Sequence, residues 1–104
     1  MTTVGRWMSK AEYLAMKNGG RVLEGTGGQT FVMKGGSDFF KGASKGSIYA
    51  EFQVPSNSLL QGGQSNWFKV IGPNASKIMQ GAVEKQGRQL LPQIQNLSPI
   101  LQIK

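Results

Sequence analysis

The sequence predicts a small, strand-rich α+β domain whose core of short antiparallel strands carries a helix near each end. Three observations predict it. In residues 46–55, GSIYAEFQVP, the apolar Ile48, Ala50, Phe52 and Val54 alternate with Tyr49, Glu51 and Gln53. That is the period-two pattern of a half-buried strand, and Pro55 ends it. Residues 9–20, SKAEYLAMKNGG, open with Ser9 and Glu12 at capping-box spacing and close on Asn18-Gly19-Gly20, the start and stop signals of a helix. Finally, 15 glycines in 104 residues demand many sharp turns between short elements. The length suits one domain over 1–104, with a core of about 5–86 and an extended tail over 87–104.

The elements follow in order. VGRWM (4–8) reads as a short strand entering the first helix, with Met8 and Tyr13 at the positions of a hydrophobic staple. This assigns Glu12 to capping. RVLE (21–24) and QTFVMK (29–34) read as two strands of a hairpin joined by the glycine-rich GTGG. The GTGG spacing matches no phosphate-binding fingerprint, so a plain turn is expected. Ser37 and Asp38 should cap a helical turn that carries Phe39 and Phe40 into the core. GSIYAEFQVP then forms the central strand, PSNSLLQGGQS (55–65) a polar, glycine-rich loop, and NWFKVI (66–71) a further strand broken by Gly72-Pro73-Asn74. Ala75 to Gln86 has the pattern of a second helix, with Ile78, Met79, Ala82 and Val83 on one stripe. Pro92 and Pro99 interrupt the last stretch, LLPQIQNLSPILQIK. It is expected to pack back on the domain or to dock a partner.

Absent residue types narrow the chemistry. The chain has neither cysteine nor histidine, which excludes disulfides, Cys/His zinc sites, thiol nucleophiles and every histidine-dependent mechanism. The five acids, Glu12, Glu24, Asp38, Glu51 and Glu84, are scattered, and no pair has the spacing of a Mg²⁺ or Ca²⁺ site, so no metal is expected. The net charge of +7 favours a polyanionic partner such as RNA, an acidic protein or a phosphate-bearing cofactor. Of the acids, Glu24 reads as solvated, Asp38 as a helix-start residue, and Glu84 as part of a polar helix face. Glu51, in mid-strand, has no such local reason, and it is either a surface residue or a catalytic carboxylate. Arg6, between Gly5 and Trp7 just before a helix start, is either an anion clamp or a surface residue stacked on Trp7.

Taken together and in order, GRWMSKAEY, GSIYAEFQVP and NWFKVIGPN resemble the TreTu-type C-terminal toxin domains of Rhs polymorphic toxins. The resemblance spans about residues 5–76 and implies an ADP-ribosyltransferase-like fold. It also implies transfer of ADP-ribose from NAD⁺, with elongation factor Tu as acceptor and arrested translation as the outcome. Delivery would be by type VI secretion into the cytoplasm of a competing bacterium, and a cognate immunity protein would protect the producer. A monomer acting without membrane or DNA is expected. Carried over residue by residue, the resemblance makes Arg6 the grip on the NAD⁺ phosphates and puts Ser9, Thr30 and Phe31 at the second motif. Glu51 becomes the catalytic glutamate and Asn74 a late-loop contributor. Cleavage of the nicotinamide–ribose bond needs negative charge near a developing cation, as in glycoside hydrolysis, and a carboxylate on a rigid strand can supply it. Glu51 and Arg6 are accordingly expected to face each other across one pocket.

Three readings compete with this one. A metal-independent ribonuclease would use Glu51 as base and Arg6 for the phosphorane, and a second alternative is an ADP-ribosyltransferase that modifies RNA. A non-catalytic binding module would use Trp7, Phe31 and Trp67 as contact aromatics.

Overall fold

A computed structural model of the chain describes residues 1–87 and 90–104. Six strands form one antiparallel sheet: β1 (Thr2–Met8), β2 (Gln29–Met33), β3 (Ile48–Val54), β4 (Leu59–Gln61), β5 (Trp67–Ile71) and β6 (Gln102–Ile103). Their order across the sheet is β4-β5-β2-β1-β3-β6. Two helices, α1 (Lys10–Gly19) and α2 (Lys77–Lys85), lie near the two ends of the chain. The α+β class and antiparallel sheet expected from the sequence are present.

The pleat divides the sheet into two faces. Facing register partners include Val4 with Phe52, Arg6 with Ala50 and Met8 with Ile48, so these residues share one face. That face carries the main core, where Val4, Met8, Val32, Ile48, Ala50, Phe52, Val54 and Val70 cluster with Tyr13 and Met16 of α1. Leu91, Ile94, Leu97 and Ile100 of the tail pack against it. On the other face, Ile71 clusters with Ala75 and Val83 of the α2 region, and Leu60 and Met79 pack against them.

Ser9 caps α1, its Oγ accepting from the Glu12 amide at 3.0 Å, and Gly20 closes the helix at φ +70, a conformation that favours glycine. Met8 and Tyr13 are both buried, as a staple requires. Ser76 caps α2.

Several expectations fail, each for a physical reason. RVLE forms no strand: it contributes only an isolated bridge, Arg21 to Gln93, because β2 takes β1 and β5 as its neighbours. GTGG turns the chain with Gly27 and Gly28 at positive φ, but it joins no hairpin, because only the segment after it is a strand. A three-residue strand, β4, appears inside the expected polar loop because Leu59–Gln61 pairs with β5. GSIYAEFQVP is internal, lying between β1 and β6 rather than at the sheet's centre. Phe39 and Phe40 are 43% and 38% exposed and not core, and the 3₁₀ turn at Ser37–Phe39 has no side-chain cap. On α2, Val83 is buried while Ile78 is 86% exposed; the sheet covers a narrower stripe of the helix than the sequence pattern suggests.

The tail packs back on the domain. It runs along the outer edge of β3, where Gln95 and Gln53 exchange backbone hydrogen bonds, the Ser98 amide donates to the Glu51 carbonyl, and the Leu101 amide donates to the Tyr49 carbonyl. The strand β6 continues this cover opposite Ile48 and Tyr49. Residues 88–89 at the start of the tail lie outside the described residues.

Candidate active site

The junction of β1 and β2 builds the site. The two strands share one register point, Gly5 opposite Met33. Beyond it a side chain replaces the backbone ladder: Nη1 of Arg6 donates to the Phe31 carbonyl at 2.8 Å. The remainder of the guanidinium grips Glu12 of α1, with Nε to Oε2 at 2.6 Å and Nη2 to Oε1 at 3.2 Å. Glu12 is therefore more than a capping residue; its carboxylate holds Arg6 while only its amide completes the cap. A guanidinium has five N–H donors, of which three are committed here.

A cavity of about 350 Å³ opens at this junction, lined by Arg6, Trp7, Phe31, Val32, Met33, Phe40 and Trp67. Apart from Arg6 its walls are apolar. Trp7 of β1 and Trp67 of β5 flank β2, and each indole ties down the segment above. Trp7 Nε1 donates to the Ser37 carbonyl at 3.1 Å, and Trp67 Nε1 donates to the Phe39 carbonyl at 2.7 Å. These bonds set Phe40 against Trp67, edge to face at 6.0 Å. Lys104 adds a third tie, its Nζ donating to the Lys41 carbonyl and standing 5.4 Å from the Trp7 ring centroid.

Glu51 stands on the cavity's face of the sheet. It pairs with Gly5, which pairs with Met33, so Met33, Gly5 and Glu51 form one row across three strands. Adjacent strands lie about 4.8 Å apart, which puts the outer two backbones roughly 10 Å apart. Gly5 leaves the middle of the row open. The Tyr49 side chain fills that gap, because a Cβ at residue 5 would collide with its hydroxyl. From there Tyr49 donates to Oε2 of Glu51 at 2.8 Å, and its ring lies 5.4 Å from that of Trp7. The Glu51 backbone is held as well, its amide donating to Ser98 Oγ at 2.9 Å.

The expected opposition of Glu51 and Arg6 across one pocket is corrected by this register. Arg6 faces Ala50, and Glu51 faces Gly5, so their side chains leave opposite faces of the sheet. Arg6 nonetheless lines the cavity, and its Nη1 is bonded to the Phe31 carbonyl of the neighbouring strand. Phe31 is 49% exposed in the cavity wall. Ser9 is at the helix cap. Thr30 is buried, donating to the Leu23 carbonyl and accepting from the Gly25 amide. It ties 21–25 to β2 and does not join Arg6. Asn74 lies apart from the cavity, its amide and Nδ2 donating to Glu24 at 2.8 and 2.7 Å. Two residues lie outside the expected site: Tyr49, bonded to Glu51, and Phe40, which is expected in the core but lines the cavity. The Tyr49–Glu51 spacing was the available signal, since residues i and i+2 of a strand share a face.

The family model for the C-terminal domain of the TreTu toxin matches residues 1–98. The chain belongs to the TreTu toxin C-terminal domain family. Membership makes it a toxin domain, of the kind carried by a secreted effector, and the match takes in every cavity-lining residue as well as Tyr49 and Glu51. No curated protein matches the chain. No helix among the described residues is long and apolar enough to cross a membrane, and no cluster of acidic residues there could hold a metal ion.

Proposed function

We propose that this domain is an antibacterial mono-ADP-ribosyltransferase that uses NAD⁺ as its substrate and modifies a translation component, elongation factor Tu. The observation that carries the reading is the cavity at the β1–β2 junction, which joins a partly committed arginine to aromatic walls on the same sheet face as Glu51. The donor set fits one end of a dinucleotide. Trp7, Phe31, Phe40 and Trp67 offer flat apolar surface to a nicotinamide ring. Two N–H groups of Arg6 remain for a phosphate oxygen, and Glu12 holds the guanidinium in place for them.

NAD⁺ supplies the bond that breaks, the one between nicotinamide and ribose. Nicotinamide leaves with the bonding electrons, the acceptor's nucleophile bonds to the ribose carbon, and the acceptor's proton passes to solvent. Glu51 places negative charge where the ribose becomes electron-poor, and its strand keeps that charge fixed. Delivery by type VI secretion into a competitor's cytoplasm, and a cognate immunity protein in the producer, complete the reading.

Incubation of the domain with bacterial lysate and labelled NAD⁺ tests it. Label on a protein of elongation-factor size is expected, and Glu51→Gln should reduce incorporation by about 10²- to 10³-fold with unchanged thermal unfolding. Label on RNA would change the acceptor. RNA degradation without NAD⁺ would replace the reading with a ribonuclease.

A further inference from the structure

We infer that Tyr49 is a positioning residue, its hydroxyl fixing the carboxylate of Glu51 toward the cavity side of the sheet. The inference rests on the proposed transferase reading and extends it to a residue with no assigned role. Three features of the geometry carry it. Tyr49 is 2% exposed, yet its hydroxyl is spent on one short-range partner, Oε2 of Glu51 at 2.8 Å. Its path requires a glycine at residue 5, since any Cβ there would occupy the hydroxyl's place. And the phenol is wedged beside Trp7, 5.4 Å between ring centroids, which is itself a wall of the cavity.

A glutamate side chain has three rotatable bonds, and on an open strand face it samples many rotamers. Glu51 has its backbone fixed by Ser98 from both the amide and the carbonyl, and the tyrosine fixes the far end. Burial first, then the hydrogen bond to Glu51 and its negative charge, push the phenol well above its ordinary range. The hydroxyl thus stays protonated, and remains a donor, at any physiological pH.

The test is a double-mutant cycle on the whole domain, reading the initial rate of label incorporation from NAD⁺ into lysate macromolecules. Tyr49→Phe keeps the ring and removes the hydroxyl. A hydrogen bond to a charged group corresponds to a loss of roughly 10- to 100-fold in kcat, with KM for NAD⁺ within about twofold. Added to Glu51→Gln, the same substitution should cost nothing further, because a residue that acts only through Glu51 has no effect once that carboxylate is gone. Tyr49→Phe at the wild-type rate would overturn the inference and leave the transferase reading intact. Equal losses in both backgrounds, with lowered thermal stability, would also overturn it by showing a merely structural role. A Glu51→Gln domain as active as the wild type would overturn the transferase reading, and the inference with it.

Discussion

Gly5 shows how much one absent side chain can decide. It keeps three strands in a row yet leaves the row's centre for the Tyr49 hydroxyl. Gly5→Ala should therefore push the phenol aside, costing about 1–3 kcal/mol as an overpacked site does, with urea unfolding as the measure. The same substitution should lower transfer activity if Tyr49 acts as inferred. Tyr49 also gives stability a pH dependence. Its folded-state ionisation is raised above the ordinary value near 10, so its contribution is complete below about pH 10 and is lost as the pH climbs further. Thermal midpoints of the wild type should thus fall more steeply above pH 10 than those of Tyr49→Phe. The strand positions of Glu51 and Arg6 were legible in the sequence, Glu51 from the alternation of GSIYAEFQVP and Arg6 from the short run VGRWM before a helix start, whereas Phe31 was singled out only by the family resemblance. The hold of Glu12 on Arg6 was not, since capping-box spacing gives a sufficient local account of a glutamate whose carboxylate is claimed from another element.

At the scale of elements, the best-read pieces are those whose signals are local. Helix α1 carries its own start and stop, and Ser9→Ala should cost it about 1 kcal/mol, checked by thermal unfolding. Strand β3 is legible from its alternation, and Ile48, Ala50, Phe52 and Val54 are all core. The failures are pieces whose state depends on distant partners. RVLE has strand composition but no place beside β2, since both flanks of β2 are taken. Leu59–Gln61 is too short to register as a pattern and becomes a strand only beside β5. Phe39 and Phe40 look like core because aromatics usually are, but indole bonds to the Ser37 and Phe39 carbonyls hold this segment against the two tryptophans that line the cavity. Trp67→Phe should release one of those bonds. Faster amide exchange across 37–42, with β4 and β5 unaffected, is the expected readout.

For the whole molecule, the local patterns indicate an α+β domain with a helix near each end, and the order of the strands is beyond them, because pairing partners are set by packing between distant segments. The tail illustrates this. Its prolines suggested an extended run, but only the structure shows it covering the edge of β3. Removing residues 95–104 should strip that cover, exposing an unpaired strand edge prone to association. Light scattering should then rise on warming at temperatures where the full chain stays clear.

Among the described residues one rung, Gly5 opposite Met33, is the whole backbone ladder between β1-β3-β6 and β2-β5-β4. The sheet is in effect two panels meeting at a seam, latched by a guanidinium instead of a row of amides. A molecule lodged in that seam braces both panels at once, so its arrival should be felt as stiffening along the join while the outer strands keep their own rhythm.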